Sequence, residues 1–293
     1  PGFASAIQAM GGVFGPIIPP STLMVLYAVA SGQSVGGMFL GGILPGLYLG
    51  LVLIIVVILL CKKKGYGGGA KFHFKSFVKA TVDAFWALLA PVIILGGIYS
   101  GIMTPTESSA VCCFYCMIVG LFIYREMDIK KLVSVVADGV RSSAGIMLIV
   151  AATQVFGWVL TRAQIPQTIA KMFTENVSNG TVFLFAVCLI LLVAGCFIDA
   201  VPALLIFAPI FCPTAQAYGL NMIHFGVVMV VVLCIGLATP PVGINLYVAS
   251  SVGGQPVHKI IPHLPVPLLT IAIATVILVL CPPIVTLLPT LFG

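Results

Sequence analysis

The sequence predicts an all-α polytopic membrane protein built as an inverted repeat, with broken helices and a re-entrant hairpin. Three observations predict it. The 293-residue chain is 61% hydrophobic and 7% charged, outside the range of soluble globular domains. No Asp, Glu, Lys or Arg occurs in residues 1–61 or 260–293, and Asp199 is the only one in 176–258. That leaves several runs of the roughly 20 apolar residues a spanning helix needs. Finally, two apolar runs are interrupted alike, by Gly15-Pro-Ile-Ile-Pro-Pro-Ser and Gly236-Leu-Ala-Thr-Pro-Pro-Val. Each is followed by a Leu-Tyr pair and small residues, Leu26-Tyr27-Ala-Val-Ala-Ser and Leu246-Tyr247-Val-Ala-Ser-Ser. Proline removes a backbone donor and clashes with the preceding turn. The freed carbonyls survive at membrane depth only where protein, water or a ligand meets them.

The elements follow in order. Residues 1–34 form the first broken helix, two half-helices separated at Gly11-Gly12, Gly15-Pro16 and Pro19-Pro20. In 35–85, Val35 to Cys61 is a continuous span ending in Lys62-Lys63-Lys64, and Gly65 to Gly69 is a turn. Lys71 to Asp83 follows as a surface helix with Lys71, Lys75 and Lys79 on one stripe. In 86–141, two spans, Trp86 to Met103 and Ser108 to Tyr124, join through Thr104-Pro105-Thr106-Glu107, and Asp128 to Arg141 is a second surface helix. Ser142 to Leu160 spans again, and amphipathic Gln164 to Val177 completes 142–177. In 178–253, Asn179-Gly180 is a turn and Val182 to Ala194 is apolar. Gly195-Cys-Phe-Ile-Asp-Ala-Val-Pro-Ala203 interrupts, and Leu204 to Cys212 resumes. At about 1.5 Å per residue each arm is too short to cross, which predicts a re-entrant hairpin tipped near Asp199. Phe225 to Ser251 is the second broken helix. Residues 254–293 hold a loop and a last span, Leu264 to Leu291.

The formal net charge of +6 is not a nucleic-acid signal, because the cations sit in short loops, the positive-inside pattern. With Lys62 to Lys79 cytoplasmic, the first broken helix runs outward. Counting spans through the hairpin, the second runs inward, so similar sequence lies in opposite orientation. Broken helices at matching places in two inverted halves point to a transporter binding site. The nine cysteines read as small apolar helix residues, since no His or carboxylate converges on them. His224 precedes a helix, His258 and His263 flank a loop, and Trp86, Trp158 and Arg162 suit interfacial anchors. No nucleophile elbow, paired metal histidines or phosphate loop is present, so no enzyme is predicted.

The chain resembles the large membrane subunit of tripartite ATP-independent periplasmic (TRAP) transporters over essentially its whole length. The resemblance rests on Gly11-Gly12 to Ile18-Pro-Pro-Ser21, Gly96-Gly-Ile-Tyr-Ser-Gly-Ile-Met-Thr-Pro-Thr-Glu107, Phe156-Gly-Trp158, Gly195-Cys-Phe-Ile-Asp199, and His224-Phe-Gly through Thr239-Pro-Pro-Val-Gly-Ile-Asn-Leu246. It implies an elevator-type, sodium-coupled importer of small carboxylates such as sialic acids, C4-dicarboxylates or 2-oxo acids. It also implies a small four-helix membrane subunit, a periplasmic substrate-binding protein and a bacterial inner-membrane location. The chain opens on Pro1 and reads as a fragment, with the family's first hairpin upstream. Where the family usually carries an Asn before Ile235-Gly236, Val232 stands here.

Sodium is a hard cation needing oxygen ligands, and broken helices supply carbonyls. The expected sodium-binding residues are Gly15, Ile18, Ser21, Asp199, Gly236, Ala238, Thr239, Gly243 and Asn245, with no cofactor beyond the coupling ion. Half-helix N-termini offer N–H groups to a carboxylate, which makes Ser21, Thr22 and Gly243 expected substrate contacts, with Pro240 of the second break expected beside them. Asp199 suits sodium binding, tip stabilisation or a helix cap. Thr104, Thr106 and Glu107 suit a cap or a gate. A sodium-coupled carboxylate carrier of similar architecture without a binding protein stays open as an alternative. An intramembrane hydrolase would need a second well-placed catalytic side chain beside Asp199. A non-transporting assembly scaffold would be indifferent to the Pro-Pro breaks.

Overall fold

The computed structural model describes residues 1–66, 73–177 and 179–292, and the regular elements among them are all helical. α1 (Gly2–Gly11) runs into a 3-10 turn (Gly12–Phe14), and α2 (Thr22–Ser31) resumes after the prolines. Each half has ten residues, about 15 Å, half of a bilayer core. α3 (Val35–Lys63) is a 29-residue helix capped by the Ser34 side chain, and it carries Lys62 and Lys63 in its last turn, where cations suit the helix dipole. Lys71 and Gly67 to Gly69 lie outside the described residues.

α4 (Phe74–Asp83), with Lys75 and Lys79 exposed, meets α5 (Phe85–Tyr99) at a 62° bend. α5 stops four residues before the expected Met103, because Gly101 takes a left-handed conformation (φ 69°) ahead of Thr104-Pro105. α6 (Pro105–Ile118), extended by a π-helical stretch (Val119–Ile123), packs antiparallel to α5. Ser108 Oγ donates to the Ile94 carbonyl (2.9 Å), and the Tyr115 hydroxyl donates to the Trp86 carbonyl (2.6 Å). α7 (Ile129–Arg162) corrects the expected surface helix and separate span, being one 34-residue helix. No proline lies between its ends, so nothing removes a donor from its ladder.

α8 (Ile165–Asn176) matches the amphipathic segment. The hairpin arms are longer than expected. α9 (Gly180–Phe197) and α10 (Ala200–Ala217) have 18 residues each, leaving only Ile198 and Asp199 between them, and both are long and apolar enough to cross a membrane. Gly195 continues the first arm. Pro202 falls in the first turn of the second, where its missing N–H is not needed. The hairpin closes at its base, where Phe183 stacks on Tyr218 (5.2 Å between ring centroids) and the Tyr218 hydroxyl donates to the Val177 carbonyl (2.7 Å). The chain therefore leaves on the side it entered, whatever the depth of the arms.

α11 (Met222–Gly236) begins at Asn221, whose Oδ1 accepts from the His224 N–H (3.0 Å). His224, expected ahead of the helix, is thus in its first turn, buried, with Nε2 2.9 Å from the Leu278 carbonyl. α12 (Ile244–Gly253) completes the second broken helix. α13 (Val257–Ile260) and a 3-10 turn (Ile261–His263) bend by 55° into α14 (Pro265–Leu280). The expected last span is also interrupted: Pro282-Pro283 separates α14 from α15 (Pro283–Phe292), which packs against α3. Among the described residues, five helices are long and apolar enough to cross a membrane, or up to seven if the bent pairs count.

The chain forms two compact units, residues 1–64 with 149–293, and residues 65–148. In the first, α11 is buried all round from His224 to Gly236, as a central apolar helix should be. The two broken helices lie antiparallel. α1 runs beside α12, with Ser5 against Gly253 and Asn245 Nδ2 donating to the Ala9 carbonyl (3.4 Å). α2 runs beside α11, with the Tyr27 hydroxyl donating to the Met222 carbonyl (2.8 Å) and its ring lodged against Gly226. Positions before one break meet positions after the other, which is the inverted arrangement the repeat predicts.

Candidate functional site

The first break closes on itself. The N–H groups of Ile17 and Ile18 both return to the Phe14 carbonyl (3.0 and 2.9 Å). The Ser21 hydroxyl donates to the Pro16 carbonyl and accepts from the Met24 N–H (3.2 Å), so one buried side chain holds both ends of the gap. Ile18 packs against Gly46 of α3, where a Cβ would lie 2.7 Å from Ile18 Cγ1.

The second break is held differently. Thr239 Oγ1 donates to the Ile235 carbonyl (2.8 Å), and the Asn245 N–H bridges the gap to the Leu237 carbonyl (2.9 Å). Gly243 starts α12 at φ 52°, with no side-chain cap, a conformation that costs a residue with a side chain more than it costs glycine. The Gly243 N–H donates to the Cys196 carbonyl (3.3 Å) of the hairpin. Both Pro-Pro peptide bonds are cis.

The hairpin tip touches both breaks. Its Gly195-Cys196 side meets Gly236 and Gly243. Its other side, from Asp199 to Val201, shares a cavity of about 290 Å³ with Gly15, Ser21 and Thr22 of the first break and Leu237 of the second. The structure thus brings Gly15, Ser21, Thr22 and Asp199 together in one cavity. Gly236, Ala238, Thr239, Pro240, Gly243 and Asn245 form the neighbouring break, and Ile18 lines neither. Asp199 is exposed and caps α10, its Oδ1 accepting from the Ala200 N–H (2.8 Å). A carboxylate, hydroxyls and helix-break carbonyls make an all-oxygen set, which suits a hard cation rather than one that prefers nitrogen or sulfur ligands. Among the described residues no three His, Cys, Asp or Glu side chains gather as a metal centre would need.

Thr104 and Glu107 form a complete capping box in the unit of residues 65–148. The Thr104 N–H donates to Glu107 Oε2 (2.8 Å), and the Glu107 N–H donates to Thr104 Oγ1 (3.3 Å). Thr106 is exposed in the same first turn. Val232 faces a separate apolar cavity of about 240 Å³ with Leu192, Ile235 and Thr275, away from the hairpin tip.

Sequence reasoning missed three residues. Gly195 and Gly226 admit neighbours that a Cβ would exclude, and Tyr27 joins α2 to α11. The repeated Leu-Tyr pair was the signal for Tyr27; a glycine inside an apolar run carries no mark of what lies against it.

A family model described as "Tripartite ATP-independent periplasmic transporter, DctM component" matches residues 1–285. Over 290 residues the chain is 37% identical to the sialic acid TRAP transporter large permease protein SiaM of Vibrio cholerae, covering 99% of the chain and 68% of that protein. It is 41% identical over 292 residues to the C4-dicarboxylate TRAP transporter large permease protein DctM of Pseudomonas aeruginosa, again 99% and 68%. It is 38% identical over 277 residues to the isethionate TRAP transporter permease protein DctMQ of Oleidesulfovibrio alaskensis, covering 94% of the chain and 44% of that protein. These relatives are transport permeases, not enzymes.

Proposed function

The chain belongs to the DctM component family of tripartite ATP-independent periplasmic transporters, and on that premise we propose that it carries the core of a sodium-coupled importer of small carboxylates in the bacterial inner membrane. One observation carries the reading: two antiparallel broken helices meet at one hairpin tip, with Asp199, Ser21 and Thr22 around a shared cavity. Sodium taken by oxygen atoms at the breaks and by Asp199 would draw the tip onto both breaks. The substrate carboxylate would then meet N–H groups at the half-helix starts. The broken helices and hairpin would travel as one body, an elevator-type step.

Relatives of comparable identity are named for sialic acid, C4-dicarboxylate and isethionate. That spread supports small organic anions as a class and leaves the choice among them to a capture protein. The partners in this reading are a small four-helix membrane subunit and a periplasmic substrate-binding protein, as the tripartite description implies.

The test is uptake of labelled carboxylates into proteoliposomes holding the complete permease with its small subunit, under a sodium gradient, with and without the binding protein. Uptake needing both sodium and the binding protein is expected. Uptake with sodium alone would favour a partner-free carrier, and uptake indifferent to sodium would overturn the coupling.

A further inference from the structure

We propose that one face of α7, centred on Gln154, is the surface on which a helix of the small membrane subunit docks. The inference rests on the partner reading above and adds to it the place of contact. Residues 142–161 of α7 carry no charged side chain, a length of about 30 Å that matches the hydrocarbon core. An arginine closes each end. Arg141 pairs with Asp138 (3.4 Å), and Arg162 lies 5.7 Å from the centroid of the Trp158 ring, as groups at headgroup depth do. Gln154 therefore sits about 20 Å from one arginine and about 12 Å from the other along the axis, deep in the hydrocarbon.

The Gln154 side chain is exposed and makes no hydrogen bond among the described residues. The threonines of the span differ. Thr153 Oγ1 donates to the Ile149 carbonyl (2.9 Å) and Thr161 Oγ1 to the Gly157 carbonyl (2.8 Å), each within its own helix. A glutamine amide brings two N–H donors and a carbonyl, and acyl chains offer a partner to none of them. Polar side chains in this position hydrogen-bond across to another membrane helix. The surface around Gln154 is open to one. Trp158, one turn on, is exposed, and a Cβ on Gly157 would meet nothing within 4 Å. Of the two partners in the transport reading, only the membrane subunit reaches this depth, because a periplasmic protein stops at the membrane surface. The docking helix has to present a side-chain amide or hydroxyl at the level of Gln154.

Photo-crosslinking in the membrane tests the face. The complete permease is co-expressed with its small subunit, with benzoylphenylalanine replacing either Trp158, on the Gln154 side, or Phe156, on the opposite side. The expected result is a crosslink to the small subunit from position 158 and none from position 156. A crosslink from 158 to a second copy of the permease, to another part of the same chain or to lipid alone would overturn the proposal, as would equal crosslinking from both positions. Gln154→Leu should raise the dissociation constant of the small subunit about three- to thirty-fold, read by fluorescence transfer between labelled subunits in nanodiscs. The permease alone should unfold no earlier with that substitution, since leucine suits lipid better than an unpaired amide. Gln154→Asn keeps the amide and should retain most of the affinity. Unchanged affinity in Gln154→Leu would overturn the docking face and leave the tripartite reading standing. Failure of the native subunits to associate at all would overturn that reading, and the docking face with it.

Discussion

Gly195 and Gly236 meet backbone to backbone: a Cβ on Gly236 would lie 2.7 Å from both the Cα and the carbonyl carbon of Gly195. This contact seats the last turn of α9 on the end of α11, so the hairpin tip and the second break share one position. Any added carbon separates them. Gly236→Ala and Gly195→Ala should each lower stability by about 1–3 kcal/mol, the usual cost of overpacking. Gly50→Ala, where a Cβ meets nothing within 4 Å, should not. Thermal unfolding of the three purified variants checks the difference.

Tyr27 fills the space that Gly226 leaves open, and its hydroxyl donates to the Met222 carbonyl. Gly226→Ala should destabilise the protein because its methyl overlaps the buried ring. Combining it with Tyr27→Leu should recover part of the loss. A double-mutant cycle in thermal stability tests this: strictly additive effects would show that the two positions do not touch.

Ser21 holds the first break through two hydrogen bonds. Ser21→Ala should cost about 1 kcal/mol of stability, as loss of a helix cap does, and should slow uptake. Ser21→Thr keeps the hydroxyl and should restore most of both. Parallel uptake and unfolding measurements on the two variants decide it.

Glu107 acts as the partner of Thr104 in a capping box. Glutamine can serve that role without charge. Glu107→Gln should therefore keep stability and uptake, while Thr104→Ala should lose about 1 kcal/mol. Uptake abolished in a stable Glu107→Gln protein would instead demand a role for the charge itself.

Much of this architecture was legible in the residues, and the reasons are physical. The Pro-Pro pairs interrupt a hydrogen-bond ladder wherever they stand, so both breaks fall where the sequence puts them. Thr104 and Glu107 carry their cap in their spacing. Polarity by itself does not bound a helix. The Asp128 to Arg141 stretch is charged but contains nothing that ends a helix, so α7 runs through it. Pro202 looked like part of a wide interruption, yet a proline in a first turn starts a helix as well as it ends one. Pro282 lies inside an apolar run, which hides the break it makes, and it ends α14. The candidate site was half legible. Asp199, Ser21, Thr22 and Gly15 share a cavity, a juxtaposition of tip and break that only the packed helices show. Ile18 turns to Gly46, because which side chain faces out of a break depends on the helix packed behind it.

The most direct test of the account is the sodium activation curve for substrate uptake by the complete permease, compared between the native protein, Thr239→Val and Asp199→Asn. The account predicts folded variants whose half-saturating sodium concentration rises about tenfold or more, equivalent to losing about 1.4 kcal/mol of binding. Sodium curves for both variants that superimpose on the native one would contradict the placement of the ion at the hairpin tip and the second break.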